Sequence, residues 1–320
     1  MKALVITRLS GPDGIELRDV PEPKAGTNQV LVDVKAGGVN FADVLTASGG
    51  YPGLPDPPFI AGREFAGTVK ETGERVMGYA QYGAYAERFA VSRQLVWPVP
   101  SEWSDEEAAA FPVNYFTAYF AYWKAGLLGS RGRGQRPKVL IHAVAGGVGT
   151  AAVEIGKVLG VEMYGTSSSK EKLERVQQLG LEYPINYTDR DYEEAIRELT
   201  EGKGVDAAFE MLGGEHLAKS VRCLGDFGRV ITYGAATGKP ARLDPRILYE
   251  KGTSVHGLWL TQLAKQPALM AEAWHQLSAW ANEGKLRPIV GHTLPMARIA
   301  DAYKLLLDRK NFGKVVLQIG

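Results

Sequence analysis

The distribution of apolar and polar positions divides the chain into two parts of different character. In the first hundred residues, short apolar runs such as LVITRL, VLVDVKA, FAGTVKE and YAERFAV alternate with turns rich in glycine and proline. Runs of this length and spacing predict the strands of a barrel or sandwich. The segment 47–65, ASGGYPGLPDPPFIAGREF, contains four prolines and four glycines. This composition predicts a surface loop, and such loops often carry function.

A different pattern begins near residue 101. Ser104 and Glu107 have the spacing of a capping box, which predicts the start of a helix, and Pro112 marks a break. After residue 137, strand patterns alternate with helix patterns. The strand patterns are KVLIHAV, VEMYGT, YPIN, VDAAFEM and GRVITYG, and the helix patterns between them are VGTAAVEIGKVLG, KEKLERVQQLG, DYEEAIRELTEG and EHLAKSVRCLG. The alternation predicts an α/β fold with a doubly wound parallel sheet.

The end of the chain returns to β character. Residues 254–258 predict one more strand, and PALMAEAWHQLSAWANEG predicts a long helix that ends at Gly284. The runs PIVGHTL and GKVVLQI then flank the helix pattern MARIADAYKLLLDRK. We therefore expect a mostly-β domain of residues 1–112 with 288–320, and a doubly wound domain of residues 113–287.

Composition narrows the function classes. At 320 residues the chain has room for two cores, and its 45% hydrophobic and 23% charged residues are typical of globular proteins. The net charge is +1 and no long block of like charge occurs, so neither nucleic acid nor membrane is the expected partner. The cluster Arg131, Arg133, Arg136 and Lys138 is interpreted as a solvated loop, with a phosphate contact as the alternative. The N-terminus lacks a leader pattern, and the predicted location is cytoplasmic.

Cysteine and histidine usage argues against a metal site. Cys223 is the single cysteine, which excludes an internal disulfide framework and a multi-cysteine zinc site, and an apolar setting predicts a buried, inert thiol. The five histidines are scattered without ligand spacing. His142 lies in an apolar run and is interpreted as a hydrogen-bonded core residue.

The strongest local signal is the turn in KVLIHAVAGGVGTAAVEIG, where Ala143, Gly146 and Gly149 join a buried strand to a helix. Such a turn brings backbone amides and the positive end of a helix against a pyrophosphate. Val144 stands where the usual motif has its first glycine, so the motif is a variant. The alternative is a glycine-rich turn that binds no ligand.

The choice of dinucleotide follows from the next strand. NAD enzymes place an acid about twenty residues after the glycine turn, and here Ser168 lies nineteen residues after Gly149, in TSSSKEK. Hydroxyls with Lys170 or Lys172 can bind a 2′-phosphate, which a carboxylate would repel. NADPH is therefore favoured over NADH. The alternative, that Ser167 to Ser169 cap the next helix, is compatible with phosphate binding.

With these motifs assembled, the chain resembles the medium-chain dehydrogenase/reductase superfamily, and within it the zinc-independent quinone oxidoreductases, the zeta-crystallin-like family. The resemblance is carried by VNFADVLTASGGYP, PFIAGREFAGTV, YGAYAERFAV, FTAYFAY, HAVAGGVG, GTSSSKEK, INYTD, RVITYG and NFGKVVL. It implies a GroES-like barrel domain, a Rossmann domain and NADPH in the cleft between them.

The resemblance also implies site residues. The 2′-phosphate contacts fall on Ser168, Lys172 and Tyr187, and the pyrophosphate turn falls on Ala145, Gly146, Gly147 and Val148. The positions that line the cofactor or the nicotinamide end are Asn40, Thr117, Gly234 and Asn311.

Departures from the related zinc alcohol dehydrogenases are informative. Those enzymes carry a cysteine near the position of Asn40 and a histidine where this chain has Arg63, so no metal is expected. Candidate catalytic donors are Asn40 and Tyr51, with Tyr115 as a weaker third. The alternatives are a turn-forming asparagine and packing tyrosines. Asp43 is expected to hold a neighbouring group or to be solvated, and Arg63 to pair with Glu64 or Asp43.

The predicted function is hydride transfer from NADPH to a quinone or a similar conjugated carbonyl, without zinc. An enal or enone double-bond reductase is the first alternative, and a non-catalytic NADPH-binding protein is the second. Likeness to the family implies a homodimer with the strand near SVHGLWL at its edge. A monomer in which Trp259 packs internally is the alternative.

Overall fold

A computed structural model describes residues 1–129 and 134–320. The chain forms two compact units: Met1–Phe116 with Thr261–Gly320, called the first unit, and Thr117–Leu260, called the second unit. Residues 261–287 belong to the first unit, although the sequence assigned them to the doubly wound domain. The physical reason is aromatic packing, because the ring of Trp274 lies 6.1 Å from the rings of both Trp97 and Phe111.

The first unit is built on two sheets. One has three strands in the order β2-β1-β4, and the other has seven, in the order β15-β16-β3-β5-β6-β8 with β7 paired to β3. All these pairs are antiparallel except β15 with β16. The strands are β1 Lys2–Ile6, β2 Ile15–Asp19, β3 Gln29–Val39, β4 Phe59–Ile60, β5 Glu64–Val69, β6 Arg75–Tyr79, β7 Arg88–Ser92, β8 Val96–Pro98, β15 Val290–Pro295 and β16 Lys314–Gln318.

The second unit contains one parallel sheet of six strands in the order β11-β10-β9-β12-β13-β14. The predicted doubly wound sheet is confirmed, since all five pairs are parallel and helices alternate with the strands. The strands are β9 Lys138–Ile141, β10 Glu162–Ser167, β11 Tyr183–Asn186, β12 Val205–Glu210, β13 Leu224–Thr232 and β14 Ser254–Gly257.

The capping box that the sequence predicts at Ser104 and Glu107 is present. Ser104 accepts a hydrogen bond from the Glu107 amide at 3.1 Å, and Glu107 accepts one from the Ser104 amide at 2.9 Å. The helices are α1 Phe41–Ala47, α2 Asp105–Ala109, α3 Pro112–Ala125, α4 Gly147–Leu159, α5 Lys170–Leu179, α6 Tyr192–Leu199, α7 Glu215–Arg222, α8 Arg246–Tyr249, α9 Leu260–Leu263, α10 Pro267–Asn282 and α11 Ile299–Leu307. No helix of the described residues is both long and apolar enough to cross a membrane.

Two predictions in the first hundred residues need correction. Helix α1 was missed because it is short and lies among strand patterns; Asn40 is its N-cap, and the Asp43 carboxylate accepts the Asn40 amide hydrogen at 2.8 Å. The predicted surface loop is wrong beyond residue 58, since β4 pairs with β1 and residues 61–65 are buried. Gly62 makes this path possible, because its φ is +96° and a Cβ would lie 2.3 Å from the Tyr85 ring.

Candidate active site

The glycine turn lies at the carboxyl end of β9, as the sequence indicates. Ala143 has a φ of +48°, and Gly149 packs so closely that a Cβ would lie 2.5 Å from the carbonyl oxygens of Ala143 and Val144. Gly146 is the N-cap of α4 and has no side chain to cap the first amides. The positive end of a thirteen-residue helix is thus presented at the edge of the sheet, which suits a pyrophosphate.

The predicted 2′-phosphate residues come together at the next two strands. Ser168 is exposed at the end of β10, and Lys172 is half-buried in the first turn of α5. Tyr187 follows β11, and its amide donates to the Ser167 carbonyl at 3.1 Å. Ser169 caps α5 by accepting from the Lys172 amide at 3.3 Å, which leaves the Ser168 hydroxyl out of the cap. The cap of α5 therefore uses Ser169 and not Ser168.

The electrostatics of this corner suit an anion. Partial burial and the neighbouring Arg175 both lower the pKa of Lys172. Glu171 acts on the pKa of Lys172 in the opposite direction. The donor set of hydroxyls and cations, with a serine at the position of the usual acid, fits NADPH.

A buried carboxylate that the sequence analysis missed orders the loop after β12. Glu210 is fully buried, and its Oε1 accepts the amide hydrogens of Leu212 at 2.6 Å and Gly213 at 2.7 Å. Its Oε2 accepts the Thr232 hydroxyl hydrogen at 3.1 Å. β12 lies beside β9, so this carboxylate shapes the sheet edge next to the glycine turn. An acid at the end of the apolar run VDAAFEM was the available signal.

The remaining predicted cofactor positions have different settings. Gly234 follows β13 and packs against Met211, where a Cβ would lie 2.9 Å from the Met211 carbonyl oxygen. Thr117 is buried in α3. Asn311 is half-buried before β16 in the first unit and donates to the Gly313 carbonyl at 3.2 Å. Gly234 lies at the same sheet edge as the glycine turn.

Asn40 is the centre of a buried network in the first unit. Its Nδ2 donates to Glu64 Oε1 at 2.8 Å, and its Oδ1 accepts from Lys314 Nζ at 2.6 Å. Lys314 also forms an ion pair with Glu64 and donates to Asn114 Oδ1 at 3.3 Å. Both ends of the Asn40 carboxamide are therefore held by interior partners. Lys314 and Glu64 were missed; a lysine in the buried strand GKVVLQI was the available signal.

A second buried group surrounds Asp43. Its Oδ2 accepts from the Asn40 amide and, at 3.0 Å, from the Tyr85 hydroxyl, while Arg63 Nε lies 3.4 Å from Oδ1. The expectation that Arg63 pairs with Asp43 or Glu64 is resolved in favour of Asp43, because Lys314 pairs with Glu64. The Arg63 guanidinium carbon lies 3.8 Å from the ring centre of the half-buried Tyr51.

Several weaker candidates have structural roles. The buried Tyr115 ring stacks on Phe111 at 4.3 Å, which supports packing rather than catalysis. Cys223 is buried, and burial raises its pKa to about 12, so the thiolate is suppressed. Of the basic cluster, Arg131 and Arg133 lie outside the described residues, whereas Arg136 forms an ion pair with Glu182 at 2.5 Å.

Comparison with known proteins identifies the family. Residues 26–101 match the model of the alcohol dehydrogenase GroES-like domain, and residues 147–281 match that of the zinc-binding dehydrogenases. The quinone oxidoreductase-like protein 2 homologue of Nematostella vectensis is 32% identical over 329 residues, covering 99% of this chain and 88% of that protein. The chain belongs to the quinone oxidoreductase family of medium-chain dehydrogenases/reductases. This oxidoreductase therefore contains a GroES-like domain, in the first unit, and a Rossmann sheet, in the second unit.

Solved structures agree with this assignment. The quinone oxidoreductase of Thermus thermophilus, described also in its complex with NADPH, is 37% identical with a TM-score of 0.88, covering 99% of this chain and 100% of that one. A 2-haloacrylate reductase is 29% identical with a TM-score of 0.83, covering 99% of both chains. Despite the name of the second family model, no cluster of three or more potential metal-binding acids, histidines and cysteines occurs in residues 1–129 and 134–320.

Proposed function

We propose that this oxidoreductase transfers hydride from NADPH to a quinone, without zinc. One observation carries the proposal: Ser168 directly follows β10, Lys172 lies in the first turn of α5, and Tyr187 directly follows β11, which pairs with β10. β10 also pairs with β9, the strand that leads into the glycine turn. This arrangement suits a dinucleotide with a 2′-phosphate. The Thermus thermophilus relative, whose structure includes an NADPH complex, supports the same choice.

The proposed roles follow from the chemistry of each group. The backbone amides of residues 145–148 bind the pyrophosphate, and Ser168, Lys172 and Tyr187 bind the 2′-phosphate. Thr117, Gly234 and Asn311 line the nicotinamide end. The bound cofactor supplies the hydride, and the chain has to position the two reacting rings and exclude water.

A quinone suits the groups proposed for the acceptor side. Reduction of a quinone restores an aromatic ring, so the reaction needs little proton donation by the protein. Asn40 and Tyr51 are proposed to contact the acceptor. Glu64 and Lys314 hold the two ends of the Asn40 carboxamide. We therefore propose that Asn40 orients the acceptor through the fixed dipole of that carboxamide.

An enal or enone double-bond reductase is the second candidate. The likeness to a 2-haloacrylate reductase favours it, since that acceptor carries a conjugated double bond. Reduction of an enone leaves an enolate, which requires stabilisation and protonation.

The test is oxidation of the nicotinamide followed by absorbance at 340 nm in the presence of a metal chelator. NADPH is compared with NADH, and a para-quinone with an enone of similar size. We expect chelator-resistant turnover with preference for NADPH and for the quinone. Selective enone reduction would favour the second candidate, preference for NADH would contradict the cofactor assignment, and NADPH binding without turnover would contradict an enzymatic function.

A further inference from the structure

Glu210 joins the two loops that follow β12 and β13. Its Oε1 accepts the amide hydrogens of Leu212 at 2.6 Å and Gly213 at 2.7 Å, distances that are short for an N–H···O hydrogen bond. Its Oε2 accepts the Thr232 hydroxyl hydrogen at 3.1 Å, and its backbone carbonyl accepts the Tyr233 amide hydrogen at 3.0 Å. One fully buried residue therefore holds the start of both loops.

The two loops, residues 211–214 and 233–238, also contact each other directly, and we call them the loop pair. Thr237 donates twice to the Leu212 carbonyl oxygen, from its amide at 2.9 Å and from its hydroxyl at 2.8 Å. The loops approach so closely that a Cβ on Gly234 would lie 2.9 Å from a carbonyl oxygen of the first loop. The loop pair is therefore one connected structure rather than two independent turns.

The strand register places the loop pair beside the glycine turn. β12 pairs with β9 as far as Phe209 and Ile141, and the His142 amide donates to the Phe209 carbonyl at 3.2 Å. In this register Glu210 lies beside His142, which directly precedes the turn. β10 pairs with β9 on the other side and leads to Ser168. The glycine turn thus has Ser168 on one side and the loop pair on the other.

This order assigns each half of a dinucleotide to one side of the turn. In a doubly wound sheet, the dinucleotide lies across the carboxyl ends of the strands where the strand order reverses, with its pyrophosphate on the glycine turn. In the order β11-β10-β9-β12-β13-β14 the reversal lies between β9 and β12. The proposed 2′-phosphate site is on the side of β10 and β11, so the nicotinamide half falls on the side of the loop pair.

We propose that Glu210 is a positioning residue for the nicotinamide half of NADPH. It acts through the loop pair and not by contact with the reacting atoms, since its side chain is fully buried. This inference rests on the proposed function. A fixed loop pair holds the dihydronicotinamide ring in one orientation towards the acceptor, which hydride transfer requires.

The charge of Glu210 matters to this role as well as its shape. One oxygen accepts two backbone amide hydrogens, and charge-assisted hydrogen bonds are about twice as strong as neutral ones. Glutamine has nearly the same size, so Glu210→Gln weakens these hydrogen bonds while it keeps the packing. Thr232→Val removes only the hydroxyl that donates to Oε2 and keeps both amide hydrogen bonds.

The binding test compares NADPH with adenosine 2′,5′-bisphosphate, a fragment that carries the 2′-phosphate but no nicotinamide. In Glu210→Gln we expect the Kd for NADPH, measured by isothermal calorimetry, to rise about 10-fold as the loop pair loses its charge-assisted hydrogen bonds. The Kd for the fragment should change by less than about twofold, because the fragment binds on the other side of the turn. Thr232→Val should produce a smaller change of the same kind.

Asp206→Asn is the matched control. Asp206 is another carboxylate of β12 that accepts a backbone amide hydrogen, from Lys138 at 2.7 Å, but it lies at the amino end of the strand. Neither Kd should change in this variant, because the loop pair lies at the opposite end of β12.

Two further measurements report the nicotinamide ring itself. At saturating NADPH, the gain in nicotinamide fluorescence on binding should be smaller in Glu210→Gln than in the unmodified protein, because the ring is held less firmly. We expect kcat to fall about 10-fold with a quinone and with an enone alike, since both reactions need the same ring orientation.

The outcomes separate the role of Glu210 from the proposed function. An unchanged Kd for NADPH in folded Glu210→Gln would overturn the inference and leave the reductase intact. Equal weakening of NADPH and the fragment would assign Glu210 a general structural role and also overturn it. Thr232→Val makes the same comparison should Glu210→Gln fail to fold. Absence of turnover in the unmodified protein would contradict the proposed function, while the two Kd values would still decide the role of Glu210; absence of NADPH binding would overturn both.

Discussion

The imidazole of His142 lies inside the second unit, with Nδ1 3.0 Å from the Thr166 hydroxyl and Nε2 3.0 Å from the Ser220 hydroxyl. The ring also packs edge-on against Tyr192 at 4.8 Å. Burial lowers the pKa of His142 to about 3, so the ring stays neutral in the folded protein at any ordinary pH. These contacts give His142 a packing role, in agreement with its place in the apolar run KVLIHAV.

The neutral state of His142 should make stability depend on pH. Below its usual pKa of 6.5, the unfolded chain binds a proton at His142 that the folded chain does not bind. The free energy of unfolding therefore decreases as the pH decreases. Between pH 7.5 and pH 5 this linkage should cost about 2 kcal/mol of unfolding free energy. Urea unfolding at both pH values should show this loss in the unmodified protein but not in His142→Asn. His275→Asn, at an exposed position, should show the same loss of unfolding free energy as the unmodified protein. An equal loss between pH 7.5 and pH 5 in all three proteins would refute the linkage.

Lys172 should decide the preference for NADPH. Replacing it with alanine removes one charged contact to the 2′-phosphate, which corresponds to about a 10- to 100-fold increase in the KM for NADPH. The KM for NADH should change little. Lys203→Ala, an exposed lysine at the amino end of β12, is the control, and initial rates at 340 nm provide the measurement. An equal effect on both cofactors would disprove the assignment.

Sequence distance explains which residues of the site could be predicted. Ser168 and Lys172 lie at a fixed spacing from the glycine turn, so their chemistry is readable locally. Lys314 and Asn40 are 274 positions apart, and their contact exists only after β16 pairs with β3. No local pattern reports such a partner, which is why the network around Asn40 was not predicted.

At the level of elements, the turn from β9 into α4 is the most constrained part of the second unit. The helix end must approach the strand end closely enough for its amides to face a ligand, and Gly149 permits this approach. Strand and helix here were predicted correctly because the apolar run and the helical pattern are both strong. The short helix α1, by contrast, depends on a single turn of capping contacts.

Gly149→Ala should disrupt this element. The added methyl group would lie 2.5 Å from two carbonyl oxygens, so the turn has to shift and its amides lose their alignment. We expect NADPH affinity, measured by isothermal calorimetry, to fall at least about tenfold, since pyrophosphate binding relies on those amides. Gly26→Ala is the control, because its methyl group would meet only the flexible end of Gln29. Unchanged affinity in Gly149→Ala would show that the turn does not bind the cofactor.

For the whole molecule, the open question is assembly. β14 is the last strand of the six-stranded sheet and pairs with β13 on one side. Trp259 follows β14 and is 36% exposed, and a partly exposed tryptophan beside a sheet edge suits an interface anchor. We propose, as the family likeness implied, that two chains associate along this edge.

Assembly can be tested by sedimentation equilibrium. The unmodified protein should have twice the 34.7 kDa mass of one chain, and Trp259→Glu should shift it toward the monomer, since a buried charge at an interface is costly. Trp123→Glu, at another exposed tryptophan in the second unit, is the control. A monomeric unmodified protein would contradict the dimer.

The sequence by itself determined the α/β class, the parallel sheet with its helices, and the glycine turn between β9 and α4, because these depend on local periodicity and short spacings. It also indicated that Cys223 and His142 are buried, from their apolar neighbours. Only the tertiary structure placed residues 261–287 with the first unit, paired Lys314 with Glu64 and buried Arg63 beside Asp43. Those features depend on contacts between segments that are distant in the sequence. Packing and charge pairing select these contacts, and local sequence patterns do not distinguish them from other possible contacts.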